Sequence, residues 1–333
     1  MFRAILGPAA AGLLITAACS PALADSGADF FKGKTVNYIV ATGPGGGFDS
    51  YGRLVAEYMQ KYLPGTTFVV QNMPGAGHML GANYIAGSKP DGLTIGTFNT
   101  GLVYSQLAGV SGARFDLGKM SWIGKAASDP RAIIVSKDSG ITDIKSFMTG
   151  SSKVKFAAAG VGSGSYVETL MLAQAAGLPV DIVSGYNGNE DELAMMRGEI
   201  QGVVAFRSSY EDFVKEGRGK FIAQIGGSSK DLPQLADLTT SEQAKQVIAL
   251  IASQGTIARL TVGPEGIPED RLAALRDAYK KAVADPEFVA KANKMGLPVD
   301  AMVGDDVSNA IKAALNQSPD TVALIKQSLS KSQ

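Results

Sequence analysis

The chain has very few of the residues that catalysis and metal binding use most. Its 333 residues include one cysteine, Cys19, and one histidine, His78. A single cysteine excludes an intrachain disulfide, and we find no spacing of His, Asp and Glu that is typical of a metal site. Neither Gly45–Asp49 nor Gly160–Ser165 has the Gly-x-Ser-x-Gly pattern of a hydrolase nucleophile. We therefore expect a protein that is not an enzyme and uses neither a metal nor a cofactor.

An excess of charge of either sign is also missing. The chain has 31 basic and 31 acidic residues. Proteins that bind nucleic acid usually carry a clear positive excess, so we expect no nucleic-acid partner. The hydrophobic content of 45% is enough for one large or two medium α/β lobes.

Long hydrophobic runs are absent except near the start of the chain. Arg3 precedes a largely apolar run that ends near Ala18, and Ala22-Leu23-Ala24 has the small residues that a signal peptidase accepts. Residues 1–24 are therefore predicted to be a signal peptide that is cleaved near Ala24, which places a soluble mature chain in the periplasm. The alternative is a lipoprotein box that ends at Cys19, but Thr16 fits its first position poorly.

The body of the chain alternates between strand-like and helix-like segments. In the first part, strand patterns occur at Thr35–Ala41, Phe68–Gln71 and Leu93–Thr97, with helix patterns at Tyr51–Tyr62 and Met79–Gly87. Strands that are separated by whole helices pair in parallel and cross over right-handedly. The same rhythm resumes near Arg131 and continues to Ile225, which predicts a second lobe.

The last third contains helix patterns and too few strands for a sheet of its own. Its segments are helices Ser241–Ser253, one opening at Pro268, one opening at Asp285 and a terminal one at Asp306–Ser328, with one strand in Thr256–Val262. We infer that it returns to complete the first lobe. The predicted fold is α/β with two mainly parallel sheets flanked by helices and a ligand cleft between them. Lobe 1 comprises residues 25–130 and 250–333, lobe 2 comprises residues 131–249, and the two crossings form a hinge.

A glycine-rich bend joins the first strand to the first helix. Gly45, Gly46, Gly47, Phe48 and Asp49 lie where backbone can approach a ligand and where a helix start offers unpaired N–H groups. The bend is either a plain turn or an anion site. A dinucleotide fold is excluded because the second strand ends in Gln71-Asn72-Met73, without the acid that holds a ribose.

A second glycine loop follows a strand of the second lobe. Gly160, Ser163, Gly164 and Ser165 precede a helix that contains Glu168. The serines either cap this helix or donate hydrogen bonds to a ligand. Because ligands of such sheets lie beyond the carboxyl ends of the strands, we expect the two glycine loops to face each other across the cleft.

Other candidates for the cleft follow further strands. Asn99 follows the third strand, Tyr186 and Asn187 follow a second-lobe strand, and Arg207 follows the next one. Arg207 either binds a carboxylate or pairs with a neighbouring acid. Phe48 and Tyr186 either stack on the ligand or close the hinge.

Several blocks resemble, in order and spacing, the solute receptors of tripartite tricarboxylate transporters, also called Bug receptors. They are Pro44–Asp49, Gln71–Gly77, Gly81-Ala82 and Pro90–Thr94, and the resemblance extends over essentially the whole mature chain. It implies a bilobal fold like that of periplasmic binding proteins, which closes around a small organic carboxylate and delivers it to the membrane subunits of a tripartite transporter. It also implies anion binding by the loops Gly45–Asp49 and Ser163–Ser165. We expect a monomer.

The chain departs from the family pattern at three positions. Phe48 replaces the usual Thr, Met73 replaces Arg, and Ala205 lies where many members have Asp. These changes remove polar groups and favour a less polar carboxylate, either aromatic or long-chain. The alternatives to this function are a receptor for an ABC importer or a two-component sensor and, less favoured, an exported hydrolase that would need His78 beside a serine in the cleft.

Overall fold

The computed structural model describes residues 27–330, so the predicted signal peptide, its cleavage site and Cys19 lie outside the described residues. Two β-sheets flanked by helices make up this part of the chain, and both sheets combine parallel with antiparallel strands. No helix among residues 27–330 is long and apolar enough to cross a membrane.

The first sheet has six strands in the order β11-β4-β10-β3-β1-β2. The strands are β1 (Thr35–Val40), β2 (Thr67–Asn72), β3 (Thr94–Thr97), β4 (Ser121–Lys125), β10 (Leu260–Gly263) and β11 (Met302–Val303). β1 pairs in parallel with β2 and β3, whereas β10 runs antiparallel to both β3 and β4. The last third of the chain therefore returns to this sheet through β10 and β11, as predicted.

The second sheet has five strands in the order β7-β6-β8-β5-β9. They are β5 (Arg131–Ser136), β6 (Val154–Ala158), β7 (Val180–Ser184), β8 (Gly202–Phe206) and β9 (Gly219–Ile225). β6 is parallel to β7 and β8, and β5 is antiparallel to β8 and β9. The expected α/β fold is confirmed, but the sheets are mixed, since β5, β10 and β11 run antiparallel to the strands beside them.

Helices cover the faces of both sheets. They are α1 (Gly47–Tyr62), α2 (Met79–Ala86), α3 (Leu102–Ala108), α4 (Ile144–Thr149), α5 (Gly164–Ala175), α6 (Glu190–Met196), α7 (Glu211–Lys215), α8 (Glu242–Gly255), α9 (Glu269–Ala284), α10 (Pro286–Lys294), α11 (Asp305–Leu315) and α12 (Pro319–Ser330). The predicted terminal helix over 306–328 is wrong in one respect. It is two helices, because Pro319 has no N–H to continue a helix and instead begins α12.

The boundaries of the lobes at residues 130 and 250 remain a prediction. Helix α8 contributes Val247 and Ile251 to the apolar core that also contains Ile133 and Phe156 of the second sheet. Helix α12 also reaches this core through Ile325, and it packs on α3 and α5. A boundary after Gly255 would keep α8 with the sheet on which it packs.

Two segments carry the chain between the sheets and run side by side. The first joins β4 to β5, and the second joins α8 to β10. The N–H of Asp129 donates to the carbonyl of Gly255 at 2.8 Å, and the N–H of Ala126 donates to the carbonyl of Arg259 at 3.0 Å. These two paired segments occupy the place of the predicted hinge.

Candidate functional site

A cavity of about 90 Å³ lies between the two sheets, beyond the ends of several strands. Residues from both sides line it. From the side of the first sheet these are Thr42, Gly46, Gly47, Phe48, His78 and Asn99, and from the side of the second sheet they include Arg131, Ala159, Ser165, Glu168, Tyr186, Gly188, Asp191, Glu192, Phe206, Ser209 and Tyr210. A ligand held here would contact both halves of the molecule at once.

The first glycine loop is braced by Asp49. Although burial opposes it, hydrogen bonds from Arg53, the N–H of Gly45 and the amide of Asn72 hold the pKa of the Asp49 carboxyl below its usual range. These hydrogen bonds to the Asp49 carboxylate hold the loop in shape. Asp49 itself does not line the cavity. Gly46 and Gly47 begin α1 directly at the cavity wall, where the first N–H groups of a helix have no intrahelical partner.

The two sides of the cleft are in close contact at this loop. A Cβ atom added to Gly46 would lie 3.0 Å from the carbonyl oxygen of Gly188, which belongs to the loop after β7. Gly188 itself has a φ of +64° and packs on the carbonyl of Pro44. Glycine is needed at both positions because the two backbones touch. The structure therefore represents a closed arrangement of the two sheets.

The second glycine loop packs on the loop that contains Gly77. Ser163 caps α5, since its Oγ accepts the N–H of Tyr166 at 3.3 Å, and Ser165 Oγ accepts the N–H of Ala159 at 3.1 Å. A Cβ atom on Gly160 would lie 3.1 Å from the nitrogen of Gly77, not near the first glycine loop. The two glycine loops border the same cavity, but each one packs on another loop of the opposite side.

A buried ion pair forms one wall of the cavity. Arg131 begins β5 and lies opposite Phe206 in the sheet, and Glu168 lies on α5. The Nε and Nη2 groups of Arg131 donate to the two carboxylate oxygens of Glu168 at 2.6 and 2.8 Å, and both side chains are at most 1% exposed. The hydroxyl of Tyr104 donates to the same carboxylate at 3.3 Å.

Phe206 lies between two guanidinium groups. The Cζ atom of Arg131 is 3.4 Å from the centroid of the Phe206 ring, and the Cζ atom of Arg259 is 4.5 Å from it. Phe48 meets the Phe206 ring edge-on at 5.7 Å between centroids, and Arg259 also lies over Phe48. Cation–π contacts of this kind are attractive, and they are stronger where water is excluded.

Two carboxyl groups face the cavity from the first turn of α6. Burial raises the pKa of Asp191 to about 6, although the Tyr210 hydroxyl donates to it. Burial and the neighbouring Asp191 raise the pKa of Glu192 to about 7. Their positions near the start of a helix also favour acids for purely local reasons.

Comparison with known proteins identifies the family. Residues 52–328 match the model of the tripartite tricarboxylate transporter family receptor. The chain belongs to this receptor family. It is 25% identical over 285 residues to a UPF0065 protein of Pseudomonas sp. strain P51, a match that covers 81% of this chain and 80% of the relative. Members of the family bind solutes, so this receptor is not an enzyme.

Solved structures agree with the receptor fold. BugD, a periplasmic binding protein, matches with a TM-score of 0.72 at 22% identity, over 89% of this chain and 97% of that one. MatC from Rhodopseudomonas palustris, solved with bound malate, matches with a TM-score of 0.71 at 20% identity, over 89% of this chain and 99% of that one. At these identities the likeness shows the fold alone.

The receptor brings together only some of the residues that we singled out from its sequence. Those that line the cavity are Gly46, Gly47, Phe48, Asn99, Ser165 and Tyr186. The other candidates do not line the cavity. They are Gly45, Asp49, Gly160, Ser163, Gly164, Asn187 and Arg207. The Nε of Arg207 donates to Glu211 at 2.8 Å, and its guanidinium lies over Phe221, so its side chain has the alternative role of pairing with a neighbouring acid.

The lone histidine of this receptor directly precedes α2, and its side chain does not cap that helix. His78 has a φ of +77° and makes no capping hydrogen bond, and its Nδ1 lies 3.1 Å from the carbonyl oxygen of Ala41. Burial lowers its pKa to about 4, so the imidazole is neutral at ordinary pH. His78 lines the cavity, as do Ser165 and Ser209. Among residues 27–330, however, neither serine hydroxyl has a hydrogen bond to it.

Sequence reasoning missed the residues that give the cavity its charge. Arg131 and Asp191 were not singled out, because one begins a strand and the other lies inside a helix pattern. The only feature of the sequence that could have indicated these two residues was their position in the chain. Arg131 directly follows the first chain crossing, and Asp191 follows Tyr186 and Asn187 at the end of β7.

Proposed function

We propose that this protein is a periplasmic receptor that captures a small organic carboxylate between its two lobes and delivers it to a tripartite tricarboxylate-type transporter. One observation carries the proposal. A single cavity is lined by the start of α1 on one side and by Arg131 and Ser165 on the other, while backbone of the two sides meets at Gly46 and Gly188.

Closure follows from this arrangement. A ligand shifts a two-state equilibrium only through contacts that differ between the two states. Gly47 and Ser165 both border the cavity but belong to helices on opposite sides of it. A carboxylate therefore reaches donors on both sides only when the lobes are closed, and its binding favours the closed form.

Donors suited to an anion are available on each side. The first turn of α1 offers backbone N–H groups and the positive end of a helix dipole. The opposite side offers the hydroxyl of Ser165 and the guanidinium of Arg131. Hydrogen bonds to a charged group contribute about 1.5–3 kcal/mol each, so each of these donors favours binding of an anion.

A ligand screen tests the capture step. The mature chain from Asp25 onward would be mixed with mono-, di-, tri- and aromatic carboxylates, and thermal stabilisation would be followed by calorimetry. We expect at least one carboxylate to raise the unfolding temperature and to reduce the radius of gyration in solution scattering. Stabilisation by sugars or amines alone, with no response to any carboxylate, would contradict the proposal.

A transport assay tests the delivery step. Cells that express the receptor with one large and one small integral membrane subunit encoded beside it should take up the identified carboxylate without ATP hydrolysis. Dependence on an encoded ATPase would instead assign the receptor to an ABC importer. Mass spectrometry of the periplasmic protein checks export, since cleavage near Ala24 removes Cys19 and lipidation would retain it.

A further inference from the structure

The Arg131 guanidinium has one edge occupied and one edge free. Its Nε and Nη2 groups form the side-on edge, and both donate to Glu168. The end-on edge consists of Nη1 and the second hydrogen of Nη2, and the geometry of the fork gives this edge two parallel N–H groups. Nη1 is buried and has no hydrogen-bond partner.

The residue that carries this unpartnered donor lines the cavity. Within residues 27–330, seven buried side-chain atoms have no hydrogen-bond partner. Arg131 is the one residue among their owners that lines the cavity between the lobes. A buried donor without a partner costs free energy, and the cost is larger when the donor is charged, so a ligand oxygen that accepts from it regains this cost.

The guanidinium is also fixed in place before any ligand binds. Phe206 stacks on its face at 3.4 Å, and Glu168 is held in turn by the hydroxyl of Tyr104. The side chain therefore has little rotamer freedom left to lose, which favours binding by the free edge.

The charges around the cavity limit what the ligand can carry. Arg131 is already neutralised by Glu168, and Arg259, which lies behind Phe48 and Phe206, is neutralised by Asp129. The remaining titratable groups of the wall are the two acids of α6, the phenols of Tyr186 and Tyr210, and His78, whose burial keeps it neutral. Among residues 27–330, the cavity wall therefore has no positive charge left over for a second or third carboxylate group.

Resting on the function proposed above, we propose that Arg131 is the specificity-determining residue of the cleft, and that its end-on edge binds the single carboxylate of a ligand whose other end is uncharged or donates hydrogen bonds. The distal end of this ligand lies toward Asp191 and Glu192, which accept hydrogen bonds when ionised. A dicarboxylate would place its second charge against these acids.

Matched pairs of ligands test the charge requirement. Succinate, adipate and terephthalate would each be compared with its monoamide at pH 7.5 by isothermal titration calorimetry on the full mature chain. Each pair has nearly the same shape and differs by one negative charge. We expect the best monoamide to bind about tenfold or more tightly than its dicarboxylate, in line with the cost of juxtaposing like charges. Equal or tighter binding of the dicarboxylates overturns the inference.

Variants test the anchor itself. Arg131→Lys keeps the charge that Glu168 needs but has no fork, and Arg207→Lys is the matched control outside the cavity. The double variant R131Q/E168Q removes both buried charges together. It tests the same anchor if the lysine variant unfolds. We expect both Arg131 variants to lose about tenfold or more in affinity for the monoamide, as for loss of a bidentate contact, while the control stays unchanged. Wild-type affinity in a folded Arg131 variant overturns the assignment.

The outcomes for the two proposals are distinguishable. If carboxylates bind but the pairs or the Arg131 variants behave contrary to expectation, the inference fails and the receptor function stands. If no carboxylate or monoamide binds at all, the proposed function fails together with the inference.

Discussion

Asp129 and Arg259 form a buried ion pair between the two chain segments that cross from one sheet to the other. The Nη2 of Arg259 lies 2.6 Å from Oδ2 of Asp129, and both side chains are at most 1% exposed. The same Nη2 group donates to Ser208 and Ser209, which follow β8, and the guanidinium lies over Phe48 of α1. One side chain at the crossing thus contacts the other crossing segment and both walls of the cavity.

Asp129→Ala should strongly destabilise the protein. The variant leaves the charge of Arg259 buried without its carboxylate, and breaking a buried pair in this way costs about 3–5 kcal/mol. We expect a loss of this size in the free energy of unfolding, measured by urea denaturation. As a control, Asp181→Ala removes an exposed pair with Lys153 and should cost less than about 1 kcal/mol. Similar losses in the two variants would refute the structural role of the Asp129 pair.

Gly46→Val should abolish binding while preserving the fold of the free protein. Gly46 has an extended backbone with φ of −85°, so valine introduces no backbone strain there. Its side chain would instead collide with the backbone of Gly188 and prevent the two walls from meeting. We expect ligand-induced thermal stabilisation to disappear. Gly150→Val, on the exposed end of α4, is the matched control and should bind normally. Unchanged binding by the Gly46 variant would mean that closure at this loop is not required.

Much of the fold could be predicted from the sequence because strands and helices alternate with clear breaks. β1, for example, was predicted at Thr35–Ala41 and lies at Thr35–Val40. β4 was missed, although all five of its residues are buried. It has adjacent apolar residues, Trp122 and Ile123, followed by Gly124 and Lys125, so its pattern does not alternate. Its burial depends on α9 and α11, which pack on it from distant parts of the chain.

The site was predicted less completely than the fold. Glycine-rich loops can be recognised from composition alone. Gly46, Gly47 and Ser165 were selected from the sequence for that reason, and they line the cavity. The partner of each loop across the cleft depends on how the two sheets are oriented, and local sequence carries no information on that. The free edge of Arg131 depends on the position of Glu168, 37 residues away in the chain.

Arg207→Ala should leave ligand affinity unchanged within about twofold, the scatter expected for a surface substitution. We considered Arg207 for a carboxylate contact because it follows a strand of the second sheet. Its Nε group is paired with Glu211 on the next turn, however, and the side chain lies outside the cavity. Titration calorimetry with the best ligand of the screen checks this. A selective loss for dicarboxylates over monocarboxylates would restore Arg207 as a ligand contact.

Dicarboxylate binding should strengthen as the pH falls from 8 to 6. Burial raises the pKa of Glu192 to about 7 and that of Asp191 to about 6, so both carboxyl groups lose charge in this range. Asp191 faces the Tyr210 hydroxyl, and Glu192 is influenced by Arg218, Glu216 and Asp212 on the adjoining elements. A second carboxylate group placed near these acids favours their protonated forms, so its binding is coupled to proton uptake.

Linkage gives the size and the sign of this effect. Uptake of one proton changes the affinity by up to about tenfold per pH unit, and the affinity rises as the pH is lowered. A monoamide carries no second charge and should show a flatter pH profile from the same calorimetric titrations. The double variant D191N/E192Q should flatten the dicarboxylate profile and should improve dicarboxylate binding at pH 8. Parallel profiles for a dicarboxylate and its monoamide would show that the two acids do not face the distal end of the ligand.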